Sequence, residues 1–135
     1  MSGKEQPIGT ALLICDQVIS EETTNKKTLV GTFNNLTLPA LPCTYAGLSV
    51  YASLTNGKGK VKVMLRCTSV ENDQTLFVAP MDAEFPNPGH VSEFVFNLRN
   101  VQFTVPGIHC FELLVDDALI LETRFTVNVD PKIGL

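Results

Sequence analysis

Apolar and polar residues alternate along most of this chain, and that alternation constrains its fold more than any other feature. In "KVKVMLRC", two valines, a leucine and a cysteine share one face, while lysines, an arginine and Met64 share the other. Turn-forming residues separate such runs about every ten residues, as in sandwiches and barrels. Successive side chains of a strand point to opposite faces. The pattern therefore predicts an all-β fold, an antiparallel β-sandwich of about eight strands.

Length and composition are those of one small globular domain. The chain has 135 residues, of which 44% are hydrophobic and 18% are charged. Disordered chains combine low hydrophobicity with high net charge, so this composition excludes disorder. We expect a single sandwich domain over residues 9–130. A flexible N-terminus should cover residues 1–8 and a C-terminal tail residues 131–135.

Charge and hydropathy limit the partners and the compartment. The formal net charge is −4 and the pI is about 5.0, so the chain lacks the basic surface of a general nucleic-acid binder. The apolar run at 11–15 is too short for a secretion signal, and Asp16 ends it. No stretch approaches the roughly 18 apolar residues of a membrane-spanning helix. We expect a cytoplasmic protein whose partners include neither nucleic acid nor membrane.

The four cysteines are Cys15, Cys43, Cys67 and Cys110. None of them forms a C-x-x-C pair, so neither a zinc ribbon nor a thioredoxin-type motif is present. Without a secretion signal, free buried thiols are favoured over disulfides, because the cytoplasm keeps thiols reduced. We expect no metal and no cofactor.

Three short segments predict turns. Asn56-Gly57 lies between two alternating runs and predicts a β-hairpin. Asp116-Asp117 predicts the two-residue turn of the last hairpin, because both residues tolerate left-handed backbone geometry. Residues 28–38 are expected to form one strand, with a kink or turn at Asn34-Asn35.

Apolar side chains occupy both faces of several predicted strands. On the last strand, Leu119 and Leu121 are expected on the core face and Ile120 on the outer face. Met64 likewise stands on an otherwise basic outer face. Strands that are covered on both sides have this pattern, and large exposed apolar patches mark interfaces. We therefore predict a non-enzymatic protein-interaction module that self-associates through Met64 and Ile120, most simply as a two-fold homodimer.

The chain offers few groups for catalysis. His109 lies within an alternating strand beside Phe111, where we expect a buried imidazole with a hydrogen-bond partner. His90 follows Pro88-Gly89 in a loop and is the better candidate for exposed chemistry. No G-x-S-x-G elbow is present. A hydrolase that uses His90 with an acid is therefore the least favoured function.

Loops at one end of the sandwich give another alternative. Asp82, His90 and Asp116 are candidate ligand-binding residues there, for a small molecule or a metal ion. Loop carboxylates can together supply the six to eight oxygens that Ca²⁺ prefers. However, no D-x-D-x-D spacing is present, and Asp116 already has a role in the predicted turn. A ligand-binding sandwich therefore ranks below the interaction module.

The C-terminal residues resemble the end of many immunoglobulin-like sandwiches. The resemblance rests on Pro106-Gly107 before a strand, on "FELLVDD", and on the alternating last strand. It implies an immunoglobulin-like or related Greek-key topology. His109 stands where a tyrosine is common, and the chain has no tryptophan, so the core of antibody-type domains is not available.

The whole chain also resembles a family of uncharacterised bacterial proteins of similar length. The matching segments are "CDQVI", "LVGTFNNL", "FNLRNVQF" and "PGIHCFELLVDD". They are strand and turn elements rather than catalytic motifs. The resemblance implies a small all-β domain of unknown function in the bacterial cytoplasm.

Overall fold

The computed structural model describes residues 6–133, so residues 1–5 and 134–135 of the predicted loose ends at 1–8 and 131–135 lie outside the described residues. Nine β-strands and no helix form this part of the chain. The strands are β1 (Ile8–Ser20), β2 (Lys27–Thr32), β3 (Asn35–Leu38), β4 (Cys43–Thr55), β5 (Gly59–Ser69), β6 (Gln74–Phe85), β7 (Ser92–Phe103), β8 (Gly107–Val115) and β9 (Ala118–Val129).

The strands form two sheets that pack face to face. One sheet has four strands in the order β2-β1-β4-β7, and the other has five in the order β3-β9-β8-β5-β6. The predicted all-β sandwich is confirmed. Among the described strands, the pairing is antiparallel except between β3 and β9, which run parallel. The short β3 therefore departs from the purely antiparallel arrangement that the sequence predicts.

The expected single strand at 28–38 is two strands in different sheets. The chain leaves β2 at Thr32, crosses at Phe33 and Asn34, and enters the five-stranded sheet as β3. The predicted break at Asn34-Asn35 is confirmed, but the prediction of one strand is wrong. The crossing buries Leu36 and Leu38, which are 7% and 3% exposed. The five-stranded sheet thereby buries two apolar side chains, and this burial stabilises the fold.

The prediction of a hairpin at Asn56-Gly57 is also wrong. The flanking strands, β4 and β5, belong to different sheets, so this segment carries the chain across the sandwich. Gly57 packs so closely on Phe85 that an added Cβ would lie 2.4 Å from the ring. The local turn signal is genuine, since Asn56 has a φ of 61°. Packing across the core decides which strands then pair.

The turn predicted at Asp116-Asp117 is confirmed. It joins β8 to β9, and its two residues have φ values of 48° and 69°. Positive φ at both central positions is the geometry of a type I′ hairpin turn. The turn therefore sets the register in which β8 and β9 begin to pair.

A bulge in β9 overturns the predicted faces of two residues. Leu113 pairs with Leu121 but Leu114 pairs with Leu119, so β9 carries one extra residue, Ile120. An extra residue reverses the alternation beyond it. Leu119 therefore lies on the outer face and is 48% exposed, while Ile120 packs against the core.

The strand order distinguishes between the two topologies left open by the sequence. In immunoglobulin domains one sheet has the order G-F-C, extended by C′, and strands B and E are neighbours in the other. Here β9-β8-β5-β6 follows the first order and the pair β4-β7 the second. His109, at the start of β8, occupies the region where such domains carry a buried tyrosine. The sandwich is therefore immunoglobulin-like.

Aromatic rings fill the space between the sheets. The largest fully buried side chains include Phe85, Phe103, Phe111 and Phe125. The rings of Phe111 and Phe125 stack at 5.1 Å, and Phe103 of the opposite sheet meets Phe125 edge-on at 6.1 Å. The prediction that Phe111 faces the core is confirmed.

We expect Phe111→Ala to lower the free energy of unfolding by about 3–5 kcal/mol, because it removes a fully buried ring and leaves a cavity. Urea unfolding followed by circular dichroism measures this loss. Val91→Ala is the control, because Val91 is 56% exposed. A loss below about 1 kcal/mol for Phe111→Ala would contradict the burial of this ring.

Candidate functional site

An apolar stripe crosses the outer face of the five-stranded sheet. Cross-strand pairs place Met64 between Pro80 and Leu114, and Leu114 beside Leu119. Val78 stands next to Pro80 on the same face. We call these five residues the apolar stripe. Met64, predicted as an interface residue, lies at its centre, whereas Ile120 is turned away from it by the bulge.

The apolar stripe is partly accessible. Val78 and Leu119 are 49% and 48% exposed, while Leu114, the cross-strand neighbour of Leu119, is only 8% exposed. Sequence reasoning missed Val78 and Pro80, and it assigned Leu119 to the core. The β5–β6 register would have revealed Pro80, because it pairs directly with Met64. No sequence signal marks the bulge that exposes Leu119.

Charged side chains border the apolar stripe on both sides. On one side Arg66 Nε donates a 2.9 Å hydrogen bond to Glu112 Oε1. This bond is the main reason why the pKa of Arg66 is raised. On the other side Lys62 pairs across the strands with Asp82. Each flank therefore carries both signs of charge.

Two of the three predicted ligand-binding residues line one cleft at the end of this face. The cleft, of about 620 Å³, is bordered by Asp82, Asp116, Glu84, Lys60 and Lys62. The Lys62 N–H donates a 2.9 Å hydrogen bond to Asp116 Oδ1, and the Asp116 N–H donates one to the Lys62 carbonyl. Asp116 thus holds the backbone of β5, and the cleft wall mixes cations with anions.

His90 lines a different depression from Asp82 and Asp116. Its neighbours there include Lys27, Glu84 and Glu93, and the depression measures about 350 Å³. The His90 N–H donates to the Asn87 carbonyl at 3.1 Å, which closes the loop. Only Glu84 borders both depressions. The structure therefore brings Asp82 and Asp116 together without His90.

Neither a metal centre nor a membrane span is found in the described part of the chain. Across residues 6–133, no three His, Cys, Asp or Glu side chains are grouped so that they could hold a metal ion. No helix in that range has the length and apolarity to cross a membrane.

His109 is fully buried in the aromatic core. Its Nδ1 lies 3.0 Å from the Gly107 carbonyl, and its ring packs against Phe103 and Phe125. Its Nε2 and the hydroxyl of Ser69, its cross-strand neighbour, have no hydrogen-bond partner within residues 6–133. The prediction of a buried imidazole with a hydrogen-bond partner is confirmed. Burial removes His109 from contact with a substrate.

All four cysteines, which lie in the described range, are free thiols, as predicted. Cys15, Cys67 and Cys110 are buried, whereas Cys43 is half-buried. Burial is the main cause that raises the pKa of Cys67 to about 12 and that of Cys110 to about 11. Both thiols are therefore protonated near neutral pH, and thiolates are the reactive form.

A small hydrogen-bond network lies on the outer face of the four-stranded sheet. The Tyr51 hydroxyl donates to Glu93 Oε2, and Ser49 Oγ donates to Asn97 Oδ1 at 2.8 Å. Burial, followed by the bond to Glu93, raises the pKa of Tyr51 to about 12. These bonds fix side chains of β7, which is one of the two edge strands of this sheet.

Fold and surface together define a small immunoglobulin-like β-sandwich with an apolar stripe on the outer face of one sheet. The model of a family of unknown function, DUF6941, matches residues 10–128. The chain belongs to this family. No curated protein matches the chain.

Solved structures of similar shape share little sequence with this chain. A β-glucosidase from Listeria innocua, in complex with glucose, is 11% identical with a TM-score of 0.50, over 95% of this chain and 16% of the enzyme. An alkylpurine DNA glycosylase from Pseudomonas fluorescens is 9% identical with a TM-score of 0.49, over 87% of this chain and 30% of that protein. An immunoglobulin-like protein from Pseudomonas aeruginosa is 11% identical with a TM-score of 0.44, over 94% of this chain and 100% of that one.

The likeness to the β-glucosidase is one of fold alone. This chain spans less than a third of the length of the glycosylase and of the glucosidase. These comparisons therefore assign neither an activity nor a ligand to the sandwich.

The buried thiol of Cys67 should make stability depend on alkaline pH. Its pKa is about 12 in the folded state against an ordinary value of 9.0. The folded state therefore holds the proton more tightly, and this stability is complete below pH 9 and is lost as pH rises toward 12. Relative to Cys67→Ala, the wild type should lose up to about 1.4 kcal/mol per pH unit in that window. Urea unfolding of both proteins at several pH values measures this, and a constant difference would contradict it.

Proposed function

We propose that this protein is a non-enzymatic protein-interaction module that self-associates through the apolar stripe. The observation that carries the proposal is the row from Pro80 through Met64 and Leu114 to Leu119, which lies on an outer sheet face rather than in the core. Removing such side chains from water is worth about 25 cal/mol per Å². A second copy of the chain is the partner that we propose for this surface.

The charges beside the apolar stripe support a symmetric contact. In a two-fold dimer the same patch meets itself, and with the axis along the apolar stripe each flank of one copy faces the opposite flank of the other. Arg66 and Glu112 lie on one flank, and Lys62 and Asp82 on the other. Both signs are present on each side, so like charges need not meet. An apolar centre with a polar rim is the usual anatomy of an interface.

The burial of His109 supports a binding role rather than catalysis. His109 is fully buried, and His90 lines a different depression from Asp82 and Asp116. A hydrolase would need a nucleophile, a base and an acid within hydrogen-bond reach. The free thiols support the cytoplasm as the compartment, because reducing conditions preserve them.

Leu119→Lys should break the contact through the apolar stripe, because it places a charge at the end of this stripe. Leu119 is 48% exposed, so the fold should persist. Native mass spectrometry and sedimentation velocity measure the oligomeric state. We expect the wild type to self-associate and the stripe contact of the variant to have at least a tenfold larger dissociation constant, which corresponds to about 1.4 kcal/mol.

Leu13→Lys is the matched control. Leu13 is 45% exposed on β1, whose outer face belongs to the opposite sheet. Leu13→Lys adds the same charge to a leucine of similar exposure and should leave the stripe contact intact. A wild type that stays monomeric at high micromolar concentration would refute the proposal, and so would equal effects of the two variants.

A small charged ligand is the second candidate function, and the cleft of about 620 Å³ favours it. Because Asp82 and Lys62 lie in the same wall, a molecule with both charges, such as a free amino acid, is the class that fits. At 100 times its dissociation constant, a ligand should stabilise the protein by about 2.7 kcal/mol. Thermal unfolding with each of the amino acids tests this. Asp82→Asn should abolish the shift and Asp73→Asn, in the β5–β6 turn, should retain it; no shift with any amino acid removes the candidate.

A further inference from the structure

The free edge of β7 is the least protected edge of the sandwich. Natural edge strands are kept from pairing by shortness, by proline or by lysine. The edge strands β2 and β3 have six and four residues, and β6 carries Pro80 near its middle. In contrast, β7 has twelve residues, "SEFVFNLRNVQF", with neither proline nor lysine. Its length and composition suit it to pair with another strand.

The register of the neighbouring strands shows which backbone groups of β7 face this edge. The Phe33 N–H donates to the Ile14 carbonyl, so Ile14 directs its backbone groups toward β2 and away from β4. Antiparallel pairs alternate between bonded and non-bonded. Ile14 and Val50 are therefore a non-bonded pair, and the backbone groups of Val50 point away from β1. They bond to Phe96, the partner of Val50 on β7.

The same alternation then assigns the rest of β7. Even-numbered residues near Phe96 bond to β4, and odd-numbered residues direct their N–H and C=O groups outward. The outward set comprises Glu93, Val95, Asn97 and Arg99. Within residues 6–133, no strand pairs with this side of β7.

We propose that β7 pairs antiparallel with β7 of a second copy, with Phe96 on the two-fold axis. This register sets each outward-bonding residue against another outward-bonding residue. Val95 then bonds with Asn97 of the second copy, and Glu93 bonds with its Arg99. The four-stranded sheets of the two copies become one continuous sheet.

The charges of β7 select this register over its neighbours. Glu93 and Arg99 are both exposed on the outer face, and Arg99 has no acidic partner within residues 6–133. With Phe96 on the axis, Glu93 of each copy faces Arg99 of the other copy, which gives two ion pairs. A shift of one pairing step sets Glu93 against Asn97 or Val101 instead, and both ion pairs are lost. Opposite charges that face each other across strands stabilise a sheet, and like charges destabilise it.

This contact is separate from the apolar stripe, which lies on the other sheet. The two contacts would use different symmetry axes, so together they build assemblies larger than a dimer. The β7 contact does not depend on the proposed function. A test of β7 therefore starts from the Leu119→Lys protein, in which the stripe contact is removed.

Charge exchange tests the pairing in that background. Sedimentation velocity should show dimers for Leu119→Lys alone. Adding either Glu93→Arg or Arg99→Glu sets like charges opposite each other and should weaken the dimer about tenfold or more. Combining the two exchanges should restore the dimer. Adding Tyr51→Phe instead removes the hydroxyl that bonds Glu93 and leaves both charges, so the dimer should persist.

A backbone variant tests the edge itself. Asn97→Pro removes an outward N–H without removing a bond to β4, and edge strands tolerate proline there. Asn97→Ala loses the same side-chain bond to Ser49 but keeps the N–H. Circular dichroism checks that both variants stay folded. If they do, Asn97→Pro should abolish the dimer and Asn97→Ala should retain it. A monomeric Leu119→Lys protein overturns the proposal, as does the absence of rescue by the double exchange or an equal effect of proline and alanine.

Discussion

The contact between aromatic rings of the two sheets is the interaction on which the rest of the structure depends. Phe103 of β7 meets Phe125 of β9, and Phe85 of β6 meets Phe94 of β7. Each pair joins strands of opposite sheets, so the rings fix both the spacing and the relative position of the layers. Edge-on rings gain stability beyond their buried area. The apolar stripe and the free edge of β7 lie outside this core.

The core explains the unusual histidine. His109 stands where immunoglobulin domains carry a tyrosine, and like that tyrosine it bonds to the backbone slightly upstream, at Gly107. The imidazole keeps a buried nitrogen, Nε2, without a partner in the described range, which costs stability. Two phenylalanine rings pack against it, so the histidine belongs to the aromatic core rather than to a reactive site.

The surface offers two contrasting kinds of contact. The apolar stripe around Met64 is a hydrophobic face bordered by charges, and such a face binds by removing apolar area from water. In the proposed pairing, the β7 edge binds instead through backbone hydrogen bonds, and the ion pairs of Glu93 with Arg99 set the register. The two surfaces lie on different sheets. The two proposed contacts therefore use separate parts of the sandwich.

The sequence by itself determined the all-β class, the core face around Phe111 and the turn at Asp116-Asp117, because side-chain alternation and turn geometry are local properties. It also located Met64 on the outer face. Only the tertiary structure decided that Asn56-Gly57 crosses between sheets, that β2 and β3 separate, and that the bulge at Ile120 exposes Leu119. It likewise separated His90 from Asp82 and Asp116. Strand pairing depends on packing between residues distant in the chain, and a single extra residue reverses the face of those beyond it.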